Sequence, residues 1–246
     1  MSILKRTPLF AAGIVAMAMS SAALADAIVV RSTGPSAATY PVGRRLPPAE
    51  RIVLRAGDRV VVIGEGPSRT LSGPGNFPVR SANQANQTTT NTLGRYLSAN
   101  GSTISRTGAV RGADSEGPSS APSLWVVDIT RGGTMCVTDV NNVTLWRSDM
   151  SEDTLLTVEN EANAEQRSAL AFVAGQNFRR WPNDAMPISV GASYRVSGPG
   201  MDPALMLSFV QLDHMPADAE SAAAALAEHG CTTQLSQLGD RLAEGG

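Results

Sequence analysis

The most constraining feature of this chain is a pair of β-branched runs joined by a short turn. Arg51-Ile52-Val53-Leu54-Arg55 sets three apolar residues between two arginines, Ala56-Gly57-Asp58 interrupts it, and Arg59-Val60-Val61-Val62-Ile63 is the second run. Alternation with a period of two puts Arg51, Val53 and Arg55 on one face of a strand, and Ile52 and Leu54 on the other. The arginine face is then the solvated side of a sheet. The punctuation continues downstream. Gly64-Glu65-Gly66-Pro67 turns the chain, Ser68-Arg69-Thr70-Leu71 reads as a strand, Gly73-Pro74-Gly75 ends it, and Phe77-Pro78-Val79 follows. Upstream, Ile28-Val29-Val30 opens another strand. Short strands separated by glycine turns predict an antiparallel β-meander over residues 26–80.

Residues 81–92 are Asn, Gln, Thr, Ser and Ala without apolar period, and residues 113–123 are rich in Gly, Pro and Ser. Together they predict a polar flexible linker over 81–123, relieved by one helical turn at residues 93–97. A second series of strands follows at residues 124–129, 135–138, 143–147, 154–158, 170–175, 188–196 and 205–212. About seven short strands with turn signals predict a β-sandwich-like domain over 124–215. From residue 216 the period changes. Residues 216–228 are Ala-rich, Gly230 suits a helix C-terminus, and Leu235, Leu238 and Leu242 recur at helical spacing. The expected fold is mostly β, with two short C-terminal helices over 216–246 packed on the sandwich. Ser-Gly-Pro-Gly occurs at residues 72–75 and 197–200, which reads as two turns of similar chemistry, since nothing else aligns around them.

The N-terminus reads as an export signal. Lys5 and Arg6 precede an uncharged apolar stretch at residues 8–24, and Ala23-Leu24-Ala25 gives a small-x-small cleavage pattern. A cut after Ala25 leaves a periplasmic chain from Asp26 onward with no later membrane-spanning stretch. Lys5 is the only lysine, so the mature chain has no lysine nucleophile. Charge is uneven: residues 26–112 hold 11 arginines against four acids, and residues 113–246 hold seven against 18. Either the basic half meets an anionic partner or the two halves attract each other. The two cysteines, Cys136 and Cys231, are expected to form a disulfide in an oxidising compartment. The alternative is a reactive Cys231 thiol beside His229.

The stretch from Leu46 to Val79 resembles the FecR-like periplasmic domain of iron-dicitrate sensor regulators. The matching pieces are the Arg51-to-Val62 strand–turn–strand and Arg69-Thr-Leu-Ser-Gly-Pro-Gly-Asn-Phe-Pro-Val79. The sandwich half resembles immunoglobulin-like modules of bacterial envelope proteins, through residues 143–147, Trp181-Pro182 and residues 190–194. The resemblance implies a non-enzymatic binding or signalling module acting through a protein partner in the cell envelope. Its contact residues would be Arg51, Arg55, Arg59 and Arg69. Those regulators carry a membrane tether, which the cleavable signal replaces here, so a signal would have to pass through a separate membrane partner.

Other chemistries find little footing. His214 and His229, the only histidines, lack metal-ligand spacing, and the Asp-rich turns at residues 139–142 and 149–153 are too short for a calcium loop. Gly191-Ala192-Ser193-Tyr194-Arg195 lacks the second glycine of a nucleophile elbow. Gly64-x-Gly66 leads into a strand, so it cradles no phosphate, and no cofactor is expected. Arg44, Arg45, Arg51, Arg55 and Arg59 are dense, but only Tyr40 lies near, which argues against nucleic acid. Arg179-Arg180-Trp181 reads either as a cation–π platform or as a tryptophan anchor. Two alternatives stand beside the binding module. One is a structural envelope protein holding anionic polysaccharide or lipid headgroups. The other is an envelope hydrolase using carboxylates of the acidic half.

Overall fold

The computed structural model describes residues 26–80, 90–98 and 120–244. The expected signal peptide and most of the expected linker lie outside these. Six strands form the N-terminal half: β1 (Ala27–Thr33), β2 (Arg45–Leu46), β3 (Arg51–Leu54), β4 (Arg59–Ile63), β5 (Arg69–Ser72) and β6 (Gly75–Pro78). All their pairings are antiparallel, as expected, but they do not pair in sequence order. One sheet runs β2-β1-β4-β5, and β3 pairs with β6 in a separate two-stranded ribbon. Consecutive strands β3 and β4 therefore sit in different layers. Asp58 braces the crossing: its carboxylate accepts from the Ser36 amide at 2.8 Å and the Arg55 amide at 2.5 Å. Burial pushes this carboxyl up, but those hydrogen bonds and the Arg55 charge outweigh it and hold the group below the usual range. Val29, Val60, Val62 and Leu71 of the sheet meet Ile52 and Leu54 of the ribbon in one apolar cluster.

Helix α1 (Thr90–Ser98) falls inside the stretch read as linker, and its Tyr96 and Leu97 are buried. The sandwich half follows with β7 (Val127–Asp128), β8 (Gly133–Val137), β9 (Thr144–Trp146), β10 (Thr154–Asn160), β11 (Asn163–Phe172), β12 (Phe178–Arg180), β13 (Ser193–Ser197) and β14 (Leu205–Gln211). A five-stranded sheet, β11-β10-β13-β14-β8, faces a three-stranded sheet, β12-β9-β7. Two pairings, β14 with β8 and β7 with β9, are parallel. Val127 and Leu145 from one sheet pack with Leu156, Phe172, Tyr194 and Phe209 from the other, which makes this half sandwich-like. Residues 124–129 are not one long strand. Leu124 and Trp125 serve one cluster, Val126 another and Val127 a third, so the chain is threading between layers instead of alternating across one sheet.

The tail forms α2 (Ala219–Glu228) and α3 (Thr232–Glu244). Asp218 caps α2 in a reciprocal box with Ser221, so the helix starts after Pro216 and not at it. Leu235, Leu238 and Leu242 are buried. They pack with Ile28, Val30, Val61 and Ile63 of the N-terminal sheet as well as with Cys136 of β8. The helices thus join the two β halves. Cys136 and Cys231 form a disulfide with a Cα–Cα distance of 5.9 Å, which removes the reactive-thiol reading. Beside it, Gln234 accepts from the Cys136 amide at 2.6 Å and donates to the Cys136 carbonyl at 2.9 Å. Its carboxamide takes the place of a neighbouring strand along β8, the sheet's edge. A β-carbon at Gly239 of α3 would collide with the Val30 carbonyl oxygen. Gly239→Ala should therefore push α3 off β1 and lower stability by about 1–3 kcal/mol, read in a denaturant melt.

Candidate functional site

The four arginines picked from the sequence do not form one surface. Arg51 and Arg55 flank Val53 on the outer side of the β3–β6 ribbon, and all three are exposed, with Val53 at 56%. Opposite Arg51 and Val53 on β6 lie Pro78 and Asn76. Arg51 donates to the Asn76 side chain at 2.8 Å and to its carbonyl at 3.1 Å, which holds the guanidinium along the ribbon. Arg59 is exposed too, but by strand alternation it shares the side of Val61 and Ile63, toward the helices. Arg69 donates to the carbonyls of Val79 at 2.7 Å and Pro78 at 2.9 Å, tying the start of β5 to the end of β6. Its placement is structural. Among the described residues, Arg51, Arg55 and Arg59 have no carboxylate within ion-pair distance, whereas Arg31, Arg44 and Arg80 are paired with Asp240, Glu50 and Glu65. Arg31–Asp240, at 3.0 Å, is the described pair that links the basic half to the acidic one.

A second concave feature lies at the open side of the sandwich. A cleft of about 500 Å³ is bounded by Ala169 and Leu170 of β11, by residues 175–177, and by β12 with Trp181 and Pro182. Thr144 of β9 also lines it. This residue is 1% exposed, and its hydroxyl has no hydrogen-bond partner among the described residues. A buried hydroxyl left unpaired costs about 1–3 kcal/mol. Trp181 is an anchor: its indole N–H donates to the Met186 carbonyl at 2.6 Å, and its ring meets Tyr194 and Phe209 edge-on at 5.2 Å. The cation–ring contacts of the described residues are Arg44 on Tyr40, Arg147 on Phe172 and Arg241 on Tyr96, so Arg179 and Arg180 do not stack on Trp181.

Sequence reasoning passed over Thr144 and Arg147. Arg147 is buried and donates to the carbonyls of Gln176, Glu152 and Val173, each at 2.9 Å, and to the Thr154 hydroxyl at 2.7 Å. It fixes the loop that rims the cleft. A lone buried polar residue carries no periodic signal, so neither was visible beforehand. Among the described residues, no three His, Cys, Asp or Glu side chains gather as a metal site, and no helix is long and apolar enough to cross a membrane. No family model matches the chain, and no curated protein or solved structure is found to be similar to it.

Proposed function

We propose that this chain is a periplasmic binding or signalling module, exported with cleavage after Ala25, that acts through a protein partner in the cell envelope. The observation that carries the reading is the outer face of the β3–β6 ribbon, where Arg51 and Arg55 bracket the exposed Val53. Guanidinium groups with no carboxylate within ion-pair distance among the described residues, set around an apolar residue, fit a partner surface that offers both acidic and apolar groups. Two further features support it. β1 starts at Ala27, directly after the proposed cut. The disulfide suits an oxidising compartment. Arg51 and Arg55 are the contact residues, and Arg59 and Arg69 are not part of the face.

The test is affinity recovery of the mature chain from solubilised envelope at moderate salt, beside an Arg51→Glu/Arg55→Glu variant. One envelope protein should be retained by the parent and lost by the variant, a drop of at least about tenfold. Recovery of bulk lipid or polysaccharide that disappears at high salt would favour the structural envelope reading instead. Turnover of cell-wall substrates by the purified chain, abolished by one Asp→Asn or Glu→Gln change, would favour the hydrolase.

A further inference from the structure

The cleft at the open side of the sandwich has a geometry that the ribbon lacks. β12 pairs only with β9, and β11 is likewise the last strand of its sheet. The Arg147 amide donates to the Asn177 carbonyl at 2.9 Å, and the Trp181 amide donates to the Val143 carbonyl at 3.0 Å. Hydrogen-bonded pairs alternate along an antiparallel ladder. Residues 177, 179 and 181 therefore direct their peptide groups at β9, and the peptide groups of Phe178 and Arg180 face the other way, along the free edge. Arg179 is paired with Leu145, which lies in the sandwich core, and Arg180 is paired with Thr144. Paired residues share a face, so a strand laid along β12 meets one guanidinium on each of its sides. Both arginines are exposed, and neither has a carboxylate within ion-pair distance among the described residues.

We propose that this cleft is a docking groove for an extended acidic peptide segment of a partner protein, which adds to β12 as a fourth strand. Adjacent acidic residues in an extended chain point to opposite sides, which matches the split between Arg179 and Arg180. A short cationic edge is also how proteins repel strand addition. That role does not require a cleft of about 500 Å³ beside the edge, and this site has one. The inference is independent of the ribbon, which lies in the other half of the molecule.

The probe is a labelled acetyl-Thr-Val-Glu-Glu-Val-Thr-amide peptide, titrated into the mature chain at low salt and followed by fluorescence anisotropy. Saturable binding is expected. It should weaken at least about tenfold for Arg179→Glu/Arg180→Glu, for the Gln-Gln version of the peptide and at high salt, and it should be unchanged in Arg51→Glu/Arg55→Glu. Amide resonances of Phe178 and Arg180 should shift on titration. If the charge reversal fails to fold by circular dichroism, Arg179→Gln/Arg180→Gln takes its place. The proposal is overturned by absence of saturation or by equal binding of the Gln-Gln peptide. It is also overturned if glutarate or inorganic phosphate competes as well as the peptide, which would mark a small-anion pocket and not a strand groove.

Discussion

Replacing Arg147 with leucine should lower the unfolding free energy by about 3–5 kcal/mol. The side chain is 6% exposed and makes four hydrogen bonds, three of them to main-chain carbonyls of two separate loops. Its guanidinium also lies 4.9 Å from the Phe172 ring centre. Leucine fills part of the volume but leaves the carbonyls of Glu152, Val173 and Gln176 without their donors. Lysine keeps the charge yet cannot bond both loops with one point donor, so Arg147→Lys should recover only part of the loss. Urea unfolding of the three proteins measures this. A leucine variant within about 1 kcal/mol of the parent would show that the loops hold without the arginine. Because the loop of Val173 and Gln176 rims the cleft, any acidic-peptide binding should fall with Arg147→Leu even where the protein remains folded.

Removing the disulfide should have an equal or larger effect. Cys136 and Cys231 are 95 residues apart. Closing a loop of that length limits the unfolded chain by about 4–5 kcal/mol in the chain-entropy model. Cys136→Ser/Cys231→Ser should therefore show a much lower denaturant midpoint than the oxidised parent, and the parent in reductant should match the variant. The loss should not melt everything alike. Gln234 still holds the Cys136 peptide and the Leu124 carbonyl, and Thr233 donates to the Gly132 carbonyl at 2.7 Å. Hydrogen exchange should quicken first in α2 and α3, whose apolar faces join the two β halves. Equal midpoints for parent and variant would mean that helix packing alone sets the stability.

These features differ in how far the chain announces them. The alternation at residues 51–55 is realised residue by residue: Ile52 and Leu54 are buried, and Arg51, Val53 and Arg55 are exposed. The three leucines of α3 and the two cysteines were equally readable, because helical period and cysteine count are local or global properties of the sequence. Pairing is neither. The pairing of β3 with β6 instead of β4 goes with contacts distant in sequence: Asp58 bonds to Ser36, 22 residues away, and Gly73 approaches the Arg55 carbonyl closely. The first half of β11 is exposed on both faces, so it carries no hydrophobic period at all. β12 is three residues long and two of them are arginines, which drew attention to side-chain chemistry instead of to an edge strand. The four arginines assigned to one contact face were split because strand alternation within a run says nothing about which layer the next run joins.

Site-specific photo-crosslinking from Val53 tests the ribbon most directly. The exposed valine is replaced by a photoreactive phenylalanine analogue in the full-length chain, and cells are irradiated. One discrete adduct with an envelope protein, absent when Arg51→Glu/Arg55→Glu is added, is the result expected. No adduct, or a smear unchanged by the charge reversal, would contradict the ribbon as a partner-binding face.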